Sequence, residues 1–567
     1  MARVSHIAAP EAETSTNTVG QTVQSWIVRN RLLVLALVAT FAYHAVIIFS
    51  GSFRGTYDAW VHIFFADHYA RSWWNPWEPR WYTGFPIISY PPLSHQLTAL
   101  LSFPFSLTTG FAIVLSLSTV NATLGVYRFC RLWVPERPAS YAALLTVFSS
   151  SISETVHVFG QLPTMFVIGT ILNALPFLWR WLEDGTRGDL FRSWALLMVA
   201  CAGHHVTTVF GMVFFSGPIF ATVLLTKFRT PRADEADLDG LSFLRVLPAL
   251  TVRRIKRVLP TFVRCVIFGV VFIMIAVLTV FPYWIWSASD PITQITIPHG
   301  SRDSFLENRP VGFMFFVVPW GVLISVLPYA IYKGIGSKNW ILLASLLLLS
   351  LLGTGGTTPI PAALLGGAFY ILTLDRFTFW ATIVIMPWAG LFVESLLHGR
   401  LGSWLEAHFG TLWRVLVPAM FGLSLVLFSV FIVNLTQFRK FQPAPLEMTP
   451  IVEFLSKDKH DSWRYMTLGF GDQLAWLSAQ TTALNVEGNY HSARRLPEMT
   501  STPIERLDGA KFQQIPGLGS LHQFIANPHK YNLKYIFVND AFYEPLLHFA
   551  GWVNIGALEN DVTVWER

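Results

Sequence analysis

Long apolar runs alternate with short polar segments along most of the chain, from residue 31 to residue 434. A helix that crosses a bilayer needs about 20 mostly apolar residues, and by this measure the pattern predicts about eleven transmembrane helices. A further helix, predicted over 94–108, lies in or near the membrane interface. The predicted spans are 31–50, 111–133, 139–153, 161–180, 190–204, 207–226, 262–286, 311–332, 339–353, 378–397 and 411–434.

The pattern changes after the last predicted span. Residues 436–567 are more polar and contain strand-like runs such as 534–538 and 562–565, which predicts a small soluble α/β domain after a transmembrane domain of residues 31–435. Residues 1–30 begin with a polar, Thr- and Ala-rich stretch and are predicted to be a disordered N-terminus.

One segment of the transmembrane domain is ambiguous. Residues 354–377 are rich in Gly and Pro, and they fit either a re-entrant hairpin or a true span. Irregular backbone at membrane depth is tolerated only where protein or water surrounds it.

Composition supports a membrane protein. The chain has 567 residues, of which 53% are hydrophobic and 13% charged, whereas soluble domains carry roughly a quarter charged residues. The net charge of +6 sits in short loops beside apolar segments, so it indicates membrane topology and no nucleic-acid partner. The three cysteines form neither a disulfide framework nor a zinc-binding spacing.

The basic residues predict an orientation. With the N-terminus in the cytoplasm, the basic clusters that follow all fall on the cytoplasmic side, as expected for short loops. The loop 51–95, the loop 287–310 and the C-terminal domain 436–567 then share the outer side. We therefore expect a multi-pass protein of the cell (inner or plasma) membrane, with an external C-terminal domain.

The first external loop, 51–95, gathers acids, histidines and many aromatic residues. If 57–70 is helical, Asp58 and His62 share one face, while Asp67 points roughly the opposite way. Asp58 is then a candidate general base, helped by His62, and the two side chains are also candidate metal ligands. The alternative is an Asp58 that caps the start of an interfacial helix.

Other polar residues on the outer side are candidates for binding a phosphate or substrate. Arg80 can hold a phosphate through its planar guanidinium, but a structural arginine that pairs with Glu78 or stacks on Trp81 is an equal alternative. Ionisable groups near the membrane favour a functional interpretation. The alternatives are neutral packing histidines at 204 and 205, a solvated loop at 287–310, and an ion pair of Asp375 with Arg376 that needs no ligand. The further candidates are Tyr82, His204, His205, Arg302 and Arg376.

These features together resemble the GT-C superfamily of membrane glycosyltransferases. More narrowly, four elements of the first external loop are similar to bacterial and archaeal membrane proteins named "6-pyruvoyl-tetrahydropterin synthase-related". Nothing in the chain resembles a soluble pterin enzyme with a histidine-bound zinc. The four elements are Asp58-x-x-x-His62, Pro79-Arg80-Trp81-Tyr82, Gly84-Phe85-Pro86 and Tyr90-Pro91-Pro92-Leu93.

The resemblance implies a glycosyltransferase that moves a sugar from a polyprenyl-phosphate donor to a glycan, lipid or protein acceptor on the outer face of the membrane. Asp58 matches the acid of the first external loop. In oligosaccharyltransferase-like members that acid sits with further acids on a metal. This chain has His62 where a second acid might stand, so a divalent cation such as Mg²⁺ or Mn²⁺ stays an open alternative.

Two functions of other classes compete with this interpretation. A lipid or glycan transporter would use intramembrane charges and inverted repeats, but no repeat is visible and the polar residues cluster on one side. A non-catalytic membrane scaffold would instead bind a partner through the C-terminal domain. Walker, dinucleotide-binding and hydrolase motifs are absent from the sequence in any suitable context.

Overall fold

The computed structural model describes most of the chain, so the predicted disordered N-terminus lies almost wholly outside the described residues. The described ranges are 27–230, 243–291, 298–370, 372–439 and 442–567.

The described part of the region predicted to be transmembrane is mostly helical. Two short strands, β1 (Trp77–Glu78) and β2 (Phe85–Pro86), pair antiparallel in the first external loop. The helices are α1 (Arg31–Phe49), α2 (Ala59–Arg71), α3 (Leu93–Ser102), α4 (Leu107–Cys130), α5 (Glu136–Val147), α6 (Ser150–His157), α7 (Leu162–Asp184), α8 (Arg187–Gly203), α9 (His205–Arg229), α10 (Phe243–Ser289), α11 (Arg309–Gly334), α12 (Trp340–Leu352), α13 (Ile360–Leu365), α14 (Asp375–Val384), α15 (Met386–His398), α16 (Arg400–Phe409) and α17 (Thr411–Val433).

Seven helices in the described ranges are long and apolar enough to cross a membrane: α1, α4, α7, α9, α10, α11 and α17. The helices α14 and α15, bent by 43° at their junction, form an eighth span if counted together. These eight correspond to predicted spans. The remaining three predicted spans are shorter helices, because a break at Phe148 and Ser149 divides the first into α5 and α6, while α8 has 17 residues and α12 has 13.

The central helices pack through small residues. A Cβ at Gly125 of α4 would lie 2.9 Å from the carbonyl oxygen of Gly169 in α7, and a Cβ at Gly169 would lie 2.6 Å from the backbone nitrogen of Ala122. Such backbone contact between helices is the packing mode that small residues permit in membranes. This contact holds α7 in place, and the N-terminal end of α7 contributes to the candidate functional site.

The C-terminal region forms a five-stranded mixed sheet with the order β4-β3-β5-β7-β6. The strand β3 is parallel to β4 and β5, and β7 is antiparallel to β5 and β6. Both strand-like runs in the sequence belong to this sheet. Its strands are β3 (Arg464–Leu468), β4 (Leu484–Asn485), β5 (Leu533–Val538), β6 (Val553–Ala557) and β7 (Thr563–Glu566), and the accompanying helices are α18 (Thr449–Ser456), α19 (Gln473–Gln480), α20 (Pro497–Thr500), α21 (Gln514–Ala526) and α22 (Glu544–Phe549).

The C-terminal region packs against the first external loop through aromatic side chains. Trp81 is fully buried, stacks on Phe64 at 3.8 Å between ring centroids, and donates a hydrogen bond from Nε1 to the Ser478 hydroxyl at 2.9 Å. Trp60 of α2 stacks on Trp476 of α19 at 4.9 Å. The loop and the C-terminal region therefore form one packed unit above the helices.

Candidate functional site

Asp58 occupies the N-cap position of α2, but its side chain makes no capping hydrogen bond. The side chain of Gln161, in the turn between α6 and α7, instead lies close enough to the carboxyl group to lower its pKa. Backbone contacts hold the two segments together, since the N–H groups of Tyr57 and Asp58 donate to the carbonyl oxygens of Val158 and Phe159 at 3.2 and 2.9 Å. The structure therefore does not support the capping alternative.

Gly160 allows this close approach. Its φ is +69°, a left-handed conformation that favours glycine. A Cβ at this position would lie 2.3 Å from the Thr56 hydroxyl oxygen and 3.0 Å from the backbone nitrogen of Ala59. Only a glycine can therefore precede Gln161 without pushing α2 and Asp58 away.

The surroundings of Asp58 suit a base. Burial raises the pKa of its carboxyl group to about 7, nearby Asp472 adds to the rise, and Arg439 opposes it. A carboxylate whose pKa lies near neutrality can both accept and release a proton under physiological conditions.

A narrow polar cavity lies beside Asp58, and Gln161 forms part of its wall. Arg376 stands in the same wall, where Thr373 accepts hydrogen bonds from its Nε and Nη2. Its Nη1 is buried and has no hydrogen-bond partner in the described part of the chain. The guanidinium is therefore held in place with one nitrogen unpaired. The other lining residues are Glu154, Thr155, Phe159, Thr164, Thr207, Thr373, Asp375, Phe379 and Trp380.

His62 belongs to a cluster of neutral rings. Its Nδ1 lies 3.0 Å from Nε2 of His95, and burial lowers the pKa of His62 well below its usual value and that of His95 to about 3. Tyr90 stacks on His204 with 5.2 Å between ring centroids, and its hydroxyl lies 3.3 Å from Nε2 of His204. The predicted pairing of Asp58 with His62 is therefore indirect, because the two side chains have different neighbours.

The histidine cluster is adjacent to both Asp58 and Arg376. Tyr90 is close enough to Asp58 and Arg376 for the charges of both to act on its hydroxyl group. His205 is the neighbour of His204, and its buried Nδ1 has no hydrogen-bond partner in the ranges that the structure describes. The structure thus brings predicted residues from three separate segments to one place.

Arg302 stands at the edge of this site. Its Nε donates to the Leu372 carbonyl oxygen at 3.2 Å, and the charges of Arg376 and Asp375 act on it. It is a second cation near the unpaired nitrogen of Arg376.

Arg80 has a structural role, contrary to its prediction as a phosphate-binding residue. It is 5% exposed, and its Nε and Nη2 donate to Glu78 at 2.8 and 2.6 Å. Its Nη1 donates to Asp67 and to the Ser478 carbonyl oxygen. Four of its five N–H groups are therefore occupied, which agrees with the alternative of an arginine paired with Glu78.

Tyr82, a predicted substrate-binding residue, also lies in the contact with the C-terminal region. The side chain is fully buried, and its hydroxyl donates to the Gly488 carbonyl oxygen at 2.8 Å. The carbonyl oxygen of Tyr82 accepts a hydrogen bond from Arg464 at 2.5 Å. Both polar groups are thus used in the contact with the C-terminal region.

An ion-pair network in the C-terminal region reaches Asp58. Asp472 pairs with Arg439 at 2.5 Å and with Arg506 at 2.8 Å. The Arg439 guanidinium lies 3.4 Å from the ring centroid of Tyr57 and donates to the Gly55 carbonyl oxygen at 2.8 Å. The first external loop is therefore held against the segment that follows the last span. Sequence reasoning missed this network, since its members are far apart in the chain.

Comparisons with known proteins place this geometry in a known fold. The oligosaccharyltransferase of Archaeoglobus fulgidus in its apo form is 14% identical, with a TM-score of 0.52 over 92% of this chain and 70% of that chain. The same protein, AglB, in complex with an inhibitory peptide and a dolichol-phosphate, is 13% identical, with a TM-score of 0.51 over 93% and 71%. ArnT from Cupriavidus metallidurans in the apo state is 12% identical, with a TM-score of 0.51 over 96% and 98%. The chain has the GT-C fold.

A family model agrees with the narrower resemblance. The model described as "6-pyruvoyl-tetrahydropterin synthase related domain; membrane protein" matches residues 89–236 of this GT-C chain. Of the elements that carried the resemblance in the first external loop, the match contains Tyr90-Pro91-Pro92-Leu93 and begins after the others. A comparison with curated proteins finds no match.

No group of three or more His, Cys, Asp or Glu side chains within the described residues is arranged to hold a metal ion. Asp58 and His62, the predicted pair of metal ligands, have different neighbours, since Gln161 lies near Asp58 and Nδ1 of His62 lies 3.0 Å from Nε2 of His95. A divalent cation at this pair stays a prediction.

Proposed function

We propose that the protein is a glycosyltransferase that moves a sugar from a polyprenyl-phosphate donor to a hydroxyl group of a glycan, lipid or protein acceptor. The observation that carries the proposal is the position of Asp58. Its carboxyl group has a pKa of about 7, and its backbone N–H donates to the carbonyl oxygen of Phe159 in the wall of a polar cavity. In the same wall Arg376 keeps one nitrogen without a hydrogen-bond partner among the described residues. A candidate base thus stands next to a cavity that contains a candidate phosphate-binding cation.

In the proposed reaction, Asp58 removes the proton from the acceptor hydroxyl as its oxygen attacks the anomeric carbon of the donor. Arg376 binds the donor phosphate through Nη1 and stabilises the negative charge that builds as the phosphate departs. His204, His205 and Arg302 flank the phosphate. One base that removes one proton fits inversion at the anomeric carbon.

The fold supports the choice of donor. The Archaeoglobus fulgidus oligosaccharyltransferase AglB, which shares its fold with this chain, has a structure in complex with an inhibitory peptide and a dolichol-phosphate, which is a polyprenyl phosphate. A lipid of this class presents its phosphate near the membrane surface. The alternation of basic loops supports an outer position for both Asp58 and Arg376, and we propose that transfer occurs on the outer face of the cell membrane.

A direct assay tests the proposal. The purified full-length protein, reconstituted in vesicles, is incubated with a panel of radiolabelled polyprenyl-phosphate sugars. We expect the bond between sugar and phosphate to break for at least one donor, with release of polyprenyl phosphate. Movement of intact donor between leaflets would indicate a transporter instead, and neither cleavage nor movement would indicate a scaffold.

The first prediction concerns Arg376. Replacing Arg376 with Gln removes the charged donor and should raise the KM for the lipid donor about 10- to 100-fold, the equivalent of one charge-assisted hydrogen bond. Donor titrations of both proteins measure the change. The control is Arg309→Gln, because Arg309 is exposed. Equal KM values for Arg376→Gln and wild type would contradict the assignment.

The second prediction concerns pH. Since Asp58 acts only when ionised and its pKa is about 7, kcat/KM should fall about tenfold for each pH unit below neutrality. Initial rates measured in steps between about pH 5 and pH 7.5 test this. A profile that stays level down to about pH 5 would show that the essential base is an ordinary, solvated carboxylate.

A further inference from the structure

Four polar atoms of residues that line the polar cavity of the candidate site are buried without a hydrogen-bond partner in the described parts of the chain. They are Oε1 of Glu154, Oδ1 of Asp375, Nη1 of Arg376 and Nε1 of Trp380. All four side chains belong to the wall that also contains Gln161. Glu154 is 3% exposed, so bulk solvent does not reach its carboxyl group. Buried polar groups are normally satisfied, and an orphaned set in one cavity indicates a ligand.

The charges of this set determine what it can bind. If Glu154 and Asp375 are both ionised, their two negative charges outnumber the one positive charge of Arg376 in the cavity wall and disfavour a phosphate. If Glu154 keeps its proton, the charges of Asp375 and Arg376 cancel, and the Glu154 hydroxyl and Nη1 of Arg376 can both donate to a phosphate oxygen. A neutral Glu154 therefore favours binding of a phosphate.

We propose that Glu154 is the acid of the transfer reaction. As a neutral carboxylic acid it donates a hydrogen bond to the phosphate of the lipid donor and gives up its proton to that phosphate as the sugar leaves. This inference rests on the proposed function and adds a second catalytic side chain to it. It also makes the cavity specific for a phosphate that departs as a free lipid phosphate.

The step balances in atoms and charge. The acceptor oxygen forms a bond to the anomeric carbon, and the bond between that carbon and the phosphate oxygen breaks with its electron pair left on the oxygen. The Glu154 proton moves to the phosphate, while Asp58 holds the proton of the acceptor hydroxyl. Release of one proton from Asp58 to solvent and uptake of one by Glu154 restore the enzyme.

The surroundings of Glu154 favour its neutral form. Burial raises the pKa of its carboxyl group well above the usual value, and the charge of Asp375 raises it further. Asp375 and Arg376 are the ionisable groups that face it from α14. His157, on the same helix as Glu154, is hydrogen-bonded at 2.8 Å to His44 of α1. A carboxylic acid kept neutral by an apolar site can act as a donor at neutral pH.

The test replaces Glu154 with Gln, which keeps the shape and a hydrogen-bond donor but cannot give up a proton. Full-length wild type, Glu154→Gln and Glu154→Asp are compared in vesicles with the labelled donor that wild type cleaves. The matched control is Glu136→Gln, because Glu136 is exposed and distant from the cavity in the fold. Binding of polyprenyl phosphate to each protein is measured from neutral to high pH, the range in which Glu154 should ionise.

We expect Glu154→Gln to lower kcat about 100-fold or more, with the KM for the donor changed less than about threefold. Wild type should lose polyprenyl-phosphate binding and activity at high pH as Glu154 ionises, and Glu154→Gln should not show this loss. Glu154→Asp, which can still give up a proton, should recover part of kcat.

Two results would overturn the inference and leave the proposed function intact. One is a Glu154→Gln protein with the kcat and the pH profile of wild type. The other is a Glu154→Gln protein whose binding of polyprenyl phosphate falls with pH as in wild type. If wild type itself cleaves no polyprenyl-phosphate sugar, the proposed function fails as well. If Glu154→Gln does not fold, the pH dependence of polyprenyl-phosphate binding is measured for wild type and Glu154→Asp instead. The inference fails if this binding does not fall at high pH, where Glu154 should ionise.

Discussion

Replacing Asp58 with Asn should lower the rate of sugar transfer about 100-fold or more, within the range that a positioned general base contributes. The amide has the size of the carboxylate and can keep the contact with Gln161, but it cannot accept the proton of the acceptor hydroxyl. Donor binding depends on Arg376 and Glu154, so the KM for the lipid donor should change little. Initial rates with the labelled donor measure both quantities.

The matched control for Asp58→Asn is Asp461→Asn. Asp461 is exposed in the turn before β3, so the same chemical change there should leave transfer at the rate of wild type. An Asp58→Asn protein that elutes as wild type from a sizing column and still transfers sugar at full rate would show that another group is the base. Asp58 would then be a residue of local structure only.

The second large effect concerns stability. Replacing Arg80 with Ala should lower the free energy of unfolding by about 3–5 kcal/mol, because it leaves Glu78 and Asp67 buried without their shared partner. Glu78 keeps a hydrogen bond from His68 at 2.9 Å, whereas the Ser478 carbonyl oxygen loses its donor. Thermal unfolding in detergent and limited proteolysis measure the change, and the cut sites should appear first in the C-terminal region.

Arg71 provides the control for Arg80, since it binds the same acid from the surface. Its Nε donates to Asp67 at 2.8 Å, but its side chain is 40% exposed. An exposed pair contributes at most about 1 kcal/mol, so Arg71→Ala should be mild. If both variants unfolded at the temperature of wild type, the loop and the C-terminal region would be held together by aromatic packing alone.

The sequence identified features that depend on local pattern. The apolar runs predicted the helices, and the basic loops predicted which polar segments share a side. Asp58 could be singled out because an acid among aromatic residues directly follows the first span. The predicted span 139–153 differs because polar residues such as Ser149 break an apolar run that composition alone joins.

The roles of Arg80 and Tyr82 could not be read from the sequence. An arginine among tryptophans fits a phosphate site and a buried ion pair equally well, and the choice depends on burial. In this fold α2 supplies Asp67 and the C-terminal region supplies Ser478 to Arg80. Those contacts exist only after distant segments have met.

The predicted pairing of Asp58 with His62 is indirect for a geometric reason. The spacing of four residues places two side chains on one face only when both residues are helical. Asp58 is the N-cap, with a φ of −113°, and its side chain turns toward Gln161. Neither Gln161 nor His95 carried a signal in the sequence, because an isolated Gln or His in an apolar segment is usually a packing residue.

The left-handed glycine before Gln161 limits how this protein can evolve. Any larger residue at position 160 would clash with Thr56 and the start of α2. A substitution there would therefore need a compensating change in the loop that carries Asp58. If Asp58 is the base that we propose, related sequences that keep this acid should also keep the Gly160-Gln161 pair.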